Sequence, residues 1–183
     1  MTFKRRLAGW LRRFWWLRWL LALAVRLFVP RHYVGAVGAI FNEAGQVLVM
    51  EHVFRPHFPW GLPGGWVERG EDPAETVRRE VEEELALAVE VKQLVLCMRQ
   101  GGPIINNTTP LGLGLVYYCR LLGDTHTITE ALAQATQGRE ILAVEWVDPA
   151  TTPHKLSPLE RKGVLMAQQV FEQERVNQKL SKF

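Results

Sequence analysis

The chain has 183 residues, 48% of them hydrophobic, which is enough for one packed domain with a short extension and too little for two ordinary domains. Its formal net charge of +3 conceals an asymmetry: residues 1–31 carry eight Lys and Arg and no acid, leaving 14 basic against 19 acidic residues beyond them. A basic excess confined to one end excludes a nucleic-acid footprint on the body, and five histidines that never recur at i, i+3 or i+4 exclude a helical zinc pair.

The first segment places apolar residues at Phe3, Leu7, Trp10, Phe14, Leu17, Leu21, Ala24 and Phe28, in alternating steps of four and three. That spacing predicts an amphipathic helix. Arginines occupy much of its other side, flanked by Trp15, Trp16 and Trp19. Aromatic rings beside arginines suit a membrane interface, so residues 3–29 are expected to lie on an anionic membrane surface. Crossing needs about 20 predominantly apolar residues, whereas the longest uncharged run before Pro30 is Trp19 to Val25. The same apolar face could instead dock on the domain or on a second copy. A signal peptide fits less well, because Arg26 interrupts the apolar stretch where a cleavage region would begin.

From Tyr33 the pattern turns to β. Val34–Phe41 and Gln46–Val53 are apolar runs separated by Asn42, Glu43, Ala44 and Gly45, which predicts a hairpin. Arg55 to Gly65, rich in Pro and Gly, reads as a loop. Asp72, Pro73 and Glu75 then supply an N-cap, a first-turn proline and an early acid, predicting a helix from there to about Leu85. Strands are expected at about Val89–Met98, Leu113–Leu121 and Ile141–Val147. Ser157, Pro158 and Glu160 begin a second helix reaching about Lys179. This order predicts an α+β fold with a mixed sheet between helices, with residues 1–31 a helical extension and residues 32–183 the domain. Cys97 and Cys119 fall in two of the strand runs, where reduced cysteines commonly pack as small hydrophobes, and a reducing compartment fits them best.

Glu80, Glu83 and Glu84 stand at i, i+3 and i+4 of the first predicted helix of the domain, which puts three carboxylates on one face. Bare, they repel one another. A hard cation with oxygen ligands, Mg²⁺ or Mn²⁺, would gather them and accept phosphate oxygens as further ligands. A solvated acidic face paired with Arg78 and Arg79 is the plainer alternative for the three glutamates taken alone. Upstream, Gly64 and Gly65 allow close approach of the backbone.

Residues 65–87 read GWVERGEDPAETVRREVEEELAL, and this stretch resembles the Nudix box, G-x5-E-x7-R-E-U-x-E-E-x-G-U with U aliphatic. Gly65, Glu71, Arg79, Glu80, Val81, Glu83, Glu84 and Leu87 match; Ala86 stands where the pattern has its last glycine. The resemblance implies a Nudix-like mixed sheet between helices. It also implies a pyrophosphohydrolase in which metal-activated water attacks phosphorus. On that reading Gly64, Glu80, Glu83 and Glu84 would ligate the metal, with Gly64 using its backbone carbonyl. Glu83 or Glu140 would be the catalytic base, while Gly65, Glu71 and Arg79 hold the box together. Arg55, Trp60 and Tyr118 are candidates to meet phosphate or stack on a base.

Pro103 stands sixteen residues past Leu87, a spacing similar to that of a proline in ADP-ribose-cleaving members. The expected substrate is therefore a nucleoside diphosphate linked to another group. The alternatives are a nucleoside triphosphate or, without catalysis, a nucleotide-sensing module. The expected location is cytoplasmic, peripheral on the inner face of a membrane; oligomeric state is left open, a homodimer included.

Overall fold

The computed structural model describes residues 13–17, 19–20, 23, 33–55, 57–100, 112–123, 131, 135–136 and 140–180. The chain divides into two compact units, Met1–His32 and Tyr33–Phe183. Of the first, the described residues include helical positions and present Trp15, Trp16, Trp19 and Leu20 to solvent. Most of residues 3–29 and Pro103 lie outside the described residues. No described helix is long and apolar enough to cross a membrane.

The second unit is built on a seven-stranded mixed sheet. Its elements are β1 (Tyr33–Phe41), β2 (Val47–His52), β3 (Trp60–Gly61), β4 (Gly64–Trp66), α1 (Pro73–Leu85), β5 (Ala88–Gln100), β6 (Gly112–Leu122), β7 (Ile141–Val147) and α2 (Pro158–Leu180). The hairpin between β1 and β2 closes with Phe41 opposite Val47. Asn42 tightens that turn, its side chain accepting from the Gln46 backbone N–H and donating to the Gln46 side chain. Beyond the turn the strands part company. β1 runs antiparallel to β4 on one side and parallel to β6 on the other, whereas β2 pairs with β3 and β7.

Period-two alternation sends successive β1 residues to opposite faces, and both faces are covered. Val37, Ala39 and Phe41 join Val116 and Tyr118 in a core that includes Leu159, Val164 and Ala167 of α2. Ala36 and Ile40 join Leu48 in a second core with Val77, Val81 and Leu85 of α1. The result is a sheet between helices, as expected for α+β.

Two local expectations need correction. The Arg55–Gly65 segment is not all loop: β3 and the first two residues of β4 lie in it, in runs too short for periodicity to register. Cys97 is exposed, and Cys119 alone of the two is buried. The alternation that turns Leu96 into the core turns its neighbour out.

Candidate active site

Helix α1 starts where its sequence dictates. Asp72, in extended conformation, caps it by accepting from the Ala74 N–H at 2.8 Å, and Pro73 follows at the first turn. It stops at Ala86, which adopts φ 51° and ψ 33° and donates its N–H to the Glu82 carbonyl. Alanine thus takes the left-handed cap conformation that a glycine would adopt with less strain.

The apolar side of α1 packs on the sheet, and this leaves its glutamate-bearing side beside β4. Gly64 has φ 142° and crosses Ala36 and Val37 so closely that a Cβ would come within 2.6 Å of the Val37 Cα. At Gly65 a Cβ would come within 2.5 Å of the Glu80 carboxyl carbon. The missing side chains are what let strand and helix approach. The Gly64 N–H donates to Glu84 at 3.3 Å.

Arg79 ties the loop before α1 to the helix. Its Nε and Nη2 donate to the two oxygens of Glu71 at 3.0 and 3.3 Å, and its Nη1 reaches Glu80 at 2.9 Å and Glu83 at 3.3 Å. Glu71 also accepts from the Thr76 hydroxyl at 2.7 Å and from the Glu68 N–H at 2.9 Å. The hydrogen bond from Arg79 first, then those from Glu68 and Thr76, hold the Glu71 carboxyl down to about 2.

A cavity of about 670 Å³ opens beside this corner, and Glu80, Glu84, Glu140, Gly64, Arg55 and His52 are among the residues lining it. Glu83 is not. Its carboxylate, 61% exposed, faces solvent. The helical repeat explains the split: residues 80 and 84 lie about 40° apart around the axis, whereas 83 and 84 lie about 100° apart. Three glutamates on one face therefore reduce to two at the cavity, joined by Glu140 from just before β7. Among the described residues no three His, Cys, Asp or Glu side chains are gathered closely enough to hold a metal ion. The donor set nevertheless fits a hard cation in kind, being oxygen only. Burial first, with the charges of Glu80 and Glu140, outweighs the Gly64 N–H and the charge of Arg55 and raises the Glu84 carboxyl to about 7.

Arg55 stands across the cavity, held at 2.9 Å by Glu160, a carboxylate that is almost wholly buried. Glu160 also accepts from the Leu62 N–H at 3.2 Å, and its second oxygen accepts from the Ser157 N–H while Ser157 Oγ accepts from the Glu160 N–H. A capping box at the start of α2 thus doubles as an anchor for the β2–β3 loop. His52 lies nearby with its pKa lowered to about 3, by burial first and Arg55 second, and its buried Nε2 has no hydrogen-bond partner among the described residues.

Two sequence candidates sit elsewhere. Trp60 does not line the cavity; its ring stacks on His154 with centroids 3.6 Å apart. Tyr118 is buried among the α2-side core residues and donates its hydroxyl to Glu174 at 2.9 Å, so it cannot stack on a base. An aromatic residue within a strand run carries no mark of which face it will occupy. Conversely, His52, Trp66, Gln100 and Glu160 line the cavity and were not singled out as site residues. Only Glu160 carried a signal, as the last position of its S-x-x-E.

The chain matches the NUDIX domain model over residues 31–168. It is 29% identical over 128 residues to a MutT-like protein of Streptomyces ambofaciens, an alignment covering 70% of this chain and 71% of that one. It is 34% identical over 119 residues to the Xenopus laevis protein called nucleoside diphosphate-linked moiety X motif 6, covering 64% of this chain but only 50% of that relative's length. Among solved structures, a MutT NUDIX hydrolase from Burkholderia pseudomallei superposes with a TM-score of 0.58 at 24% identity, over 75% of this chain and 98% of that one. With the glutamate helix set against a glycine crossing in a mixed sheet between helices, the chain belongs to the NUDIX domain family, hydrolases that act on pyrophosphate bonds.

Proposed function

We propose that this protein is a pyrophosphohydrolase that cleaves the phosphoanhydride of a nucleoside diphosphate linked to another moiety, an ADP-ribose-like substrate, with Mg²⁺ or Mn²⁺ as cofactor. The observation that carries the reading is the acidic corner of the cavity, where half-buried Glu84 lies with Glu80 and Glu140 and is raised to about 7, by burial first and then by their charges. Divalent cations are in general use in the family, and Glu80, Glu84 and the Gly64 carbonyl would hold one here, with Glu83 able to join from the same helix. Bound there, the cation would supply charge to the diphosphate and make water more acidic.

The chain's own side chains do the positioning. Gly64 fixes one oxygen of Glu84, and Arg79 fixes Glu80. Arg55, steadied by Glu160, offers its remaining guanidinium donors to the diphosphate from the opposite wall. Of the two candidates for the base, Glu140 is favoured over Glu83 because it lines the cavity, where it can take a proton from water. For the first unit, the proposal is attachment to an anionic membrane surface through residues 3–29.

The test is a hydrolysis panel with Mg²⁺ containing ADP-ribose, other sugar- and alcohol-linked nucleoside diphosphates, and nucleoside triphosphates. Expected are turnover of linked diphosphates above triphosphates, a fall of at least about a hundredfold in kcat for Glu84→Gln, and a larger loss for Glu140→Gln than for Glu83→Gln. Turnover confined to triphosphates would replace the substrate assignment. Binding without turnover of any member would indicate a sensor instead.

A further inference from the structure

The residue after the glycine pair faces away from the carboxylates and into the same cavity. Trp66 is 45% exposed and lines the cavity wall, and Tyr33 packs edge-on against it with ring centroids 5.8 Å apart at 64°. In register, Trp66 lies opposite Gly35 of β1, and Gly35 lies beside Gly114 of β6. Both glycines are buried, and the room left by their missing side chains is filled by an amide. Gln100 of β5 brings its Oε1 to 3.1 Å from where a Gly35 Cβ would stand and to 2.8 Å from where one on Gly114 would stand; the Trp66 Cε3 lies 3.7 Å from the first of these points. A side chain at either glycine would displace the amide from the cavity wall. Leu159, from the start of α2, closes in over Gly114.

An exposed indole and a neighbouring amide on the cavity wall offer the stacking face and the hydrogen-bonding edge that a nucleobase uses. The ring stacks on the indole, and adjacent donor and acceptor atoms of its edge pair with the amide oxygen and nitrogen. We infer that Trp66 and Gln100 form the nucleobase subsite of this cavity, the end that fixes the nucleoside while the diphosphate lies toward Gly64 and Glu84. The inference rests on the pyrophosphohydrolase reading only for the direction in which the substrate lies. Trp66 supplies affinity that is indifferent to which base is bound, and Gln100 supplies orientation.

The two halves of ADP-ribose make the probes, since AMP carries the base and ribose 5-phosphate has the same phosphorylated sugar without it. Calorimetric titration of the full chain with each, in Mg²⁺, should show AMP binding at least about tenfold more tightly, a difference of about 1.4 kcal/mol. Trp66→Ala should erase that advantage, Trp66→Phe should keep most of it, and Gln100→Ala should reduce it several-fold. Ribose 5-phosphate affinity should be unchanged in all three, which reports an intact fold and phosphate end. Equal binding of the two probes by the wild-type chain overturns the inference. So does an AMP advantage that survives Trp66→Ala, or a parallel loss of both probes in that variant. Hydrolysis of linked diphosphates without an AMP advantage removes the subsite and leaves the hydrolase reading standing. An AMP advantage that depends on Trp66, without turnover of any diphosphate, does the reverse.

Discussion

Glu84 carries about 7 in the fold against 4.5 as its ordinary value. Between those values the folded protein holds a proton that the unfolded chain has released, so metal-free stability declines as pH rises across that window. Glu71 works the other way and lower down: held near 2, its contribution is present above 4.5 and is lost as pH falls. Thermal melts in a chelator should therefore show a decline from about pH 5 to 7 that flattens in Glu84→Gln, with that variant the more stable near pH 8 by on the order of 2–3 kcal/mol. An unchanged slope in Glu84→Gln would mean that the carboxyl is already ionised at low pH. At Glu160 a different penalty applies, because Glu160→Ala strips acceptors from Arg55, Leu62 and Ser157 together. Arg55 is about one-third exposed and can turn to water, so the loss should be about 1–3 kcal/mol in urea denaturation rather than that of a fully buried broken pair. A midpoint within error of wild type would show that the anchor contributes nothing. The spacing of Glu80, Glu83 and Glu84 is visible in the chain, but not that Glu80 and Glu84 line the cavity while Glu83 points to solvent.

At the scale of elements, local chemistry carried most of the reading. Asp72-Pro73 starts α1, Ser157 and Glu160 start α2, and Asn42 to Gly45 turns β1 into β2, because caps and turns are settled by groups a few residues apart. β3 and β4 escaped because runs of two and three residues have no period; they are strands only because β2 and β1 lie alongside. Ala86 tests this scale directly. Its φ of 51° carries a strain that glycine relieves, so Ala86→Gly should raise stability by about 0.5–1 kcal/mol and alter turnover by less than about tenfold, the carboxylates lying upstream. A loss of stability would mean that the alanine methyl makes packing contacts worth more than the strain.

For the whole molecule, the charge asymmetry matters more than the net value. Eight basic residues without an acid in 1–31, with exposed tryptophans among the described positions, would draw the first unit to a negatively charged surface. Flotation with vesicles containing anionic lipid should carry the full chain at low salt and release it as salt rises, with little binding to neutral vesicles. A chain that stays in solution with anionic vesicles at low salt would refute membrane attachment. The mixed sheet itself could be anticipated from the order of elements, whereas the parallel pairing of β1 with β6 could not, since the two strands are separated by some seventy residues.

From its sequence alone this protein's family, the helices α1 and α2, its principal strands and the glutamates of α1 can be read, because each depends on residues close together or at fixed spacing. Tertiary packing decided that Tyr118 is core, that Glu83 faces out while Glu84 turns to the cavity, and that Glu160 holds Arg55 across it. It alone set Trp66 and Gln100 on either side of two glycines. Those outcomes depend on which face of a strand or helix meets which neighbour, and burial, not spacing, determines how each charge and ring behaves once there.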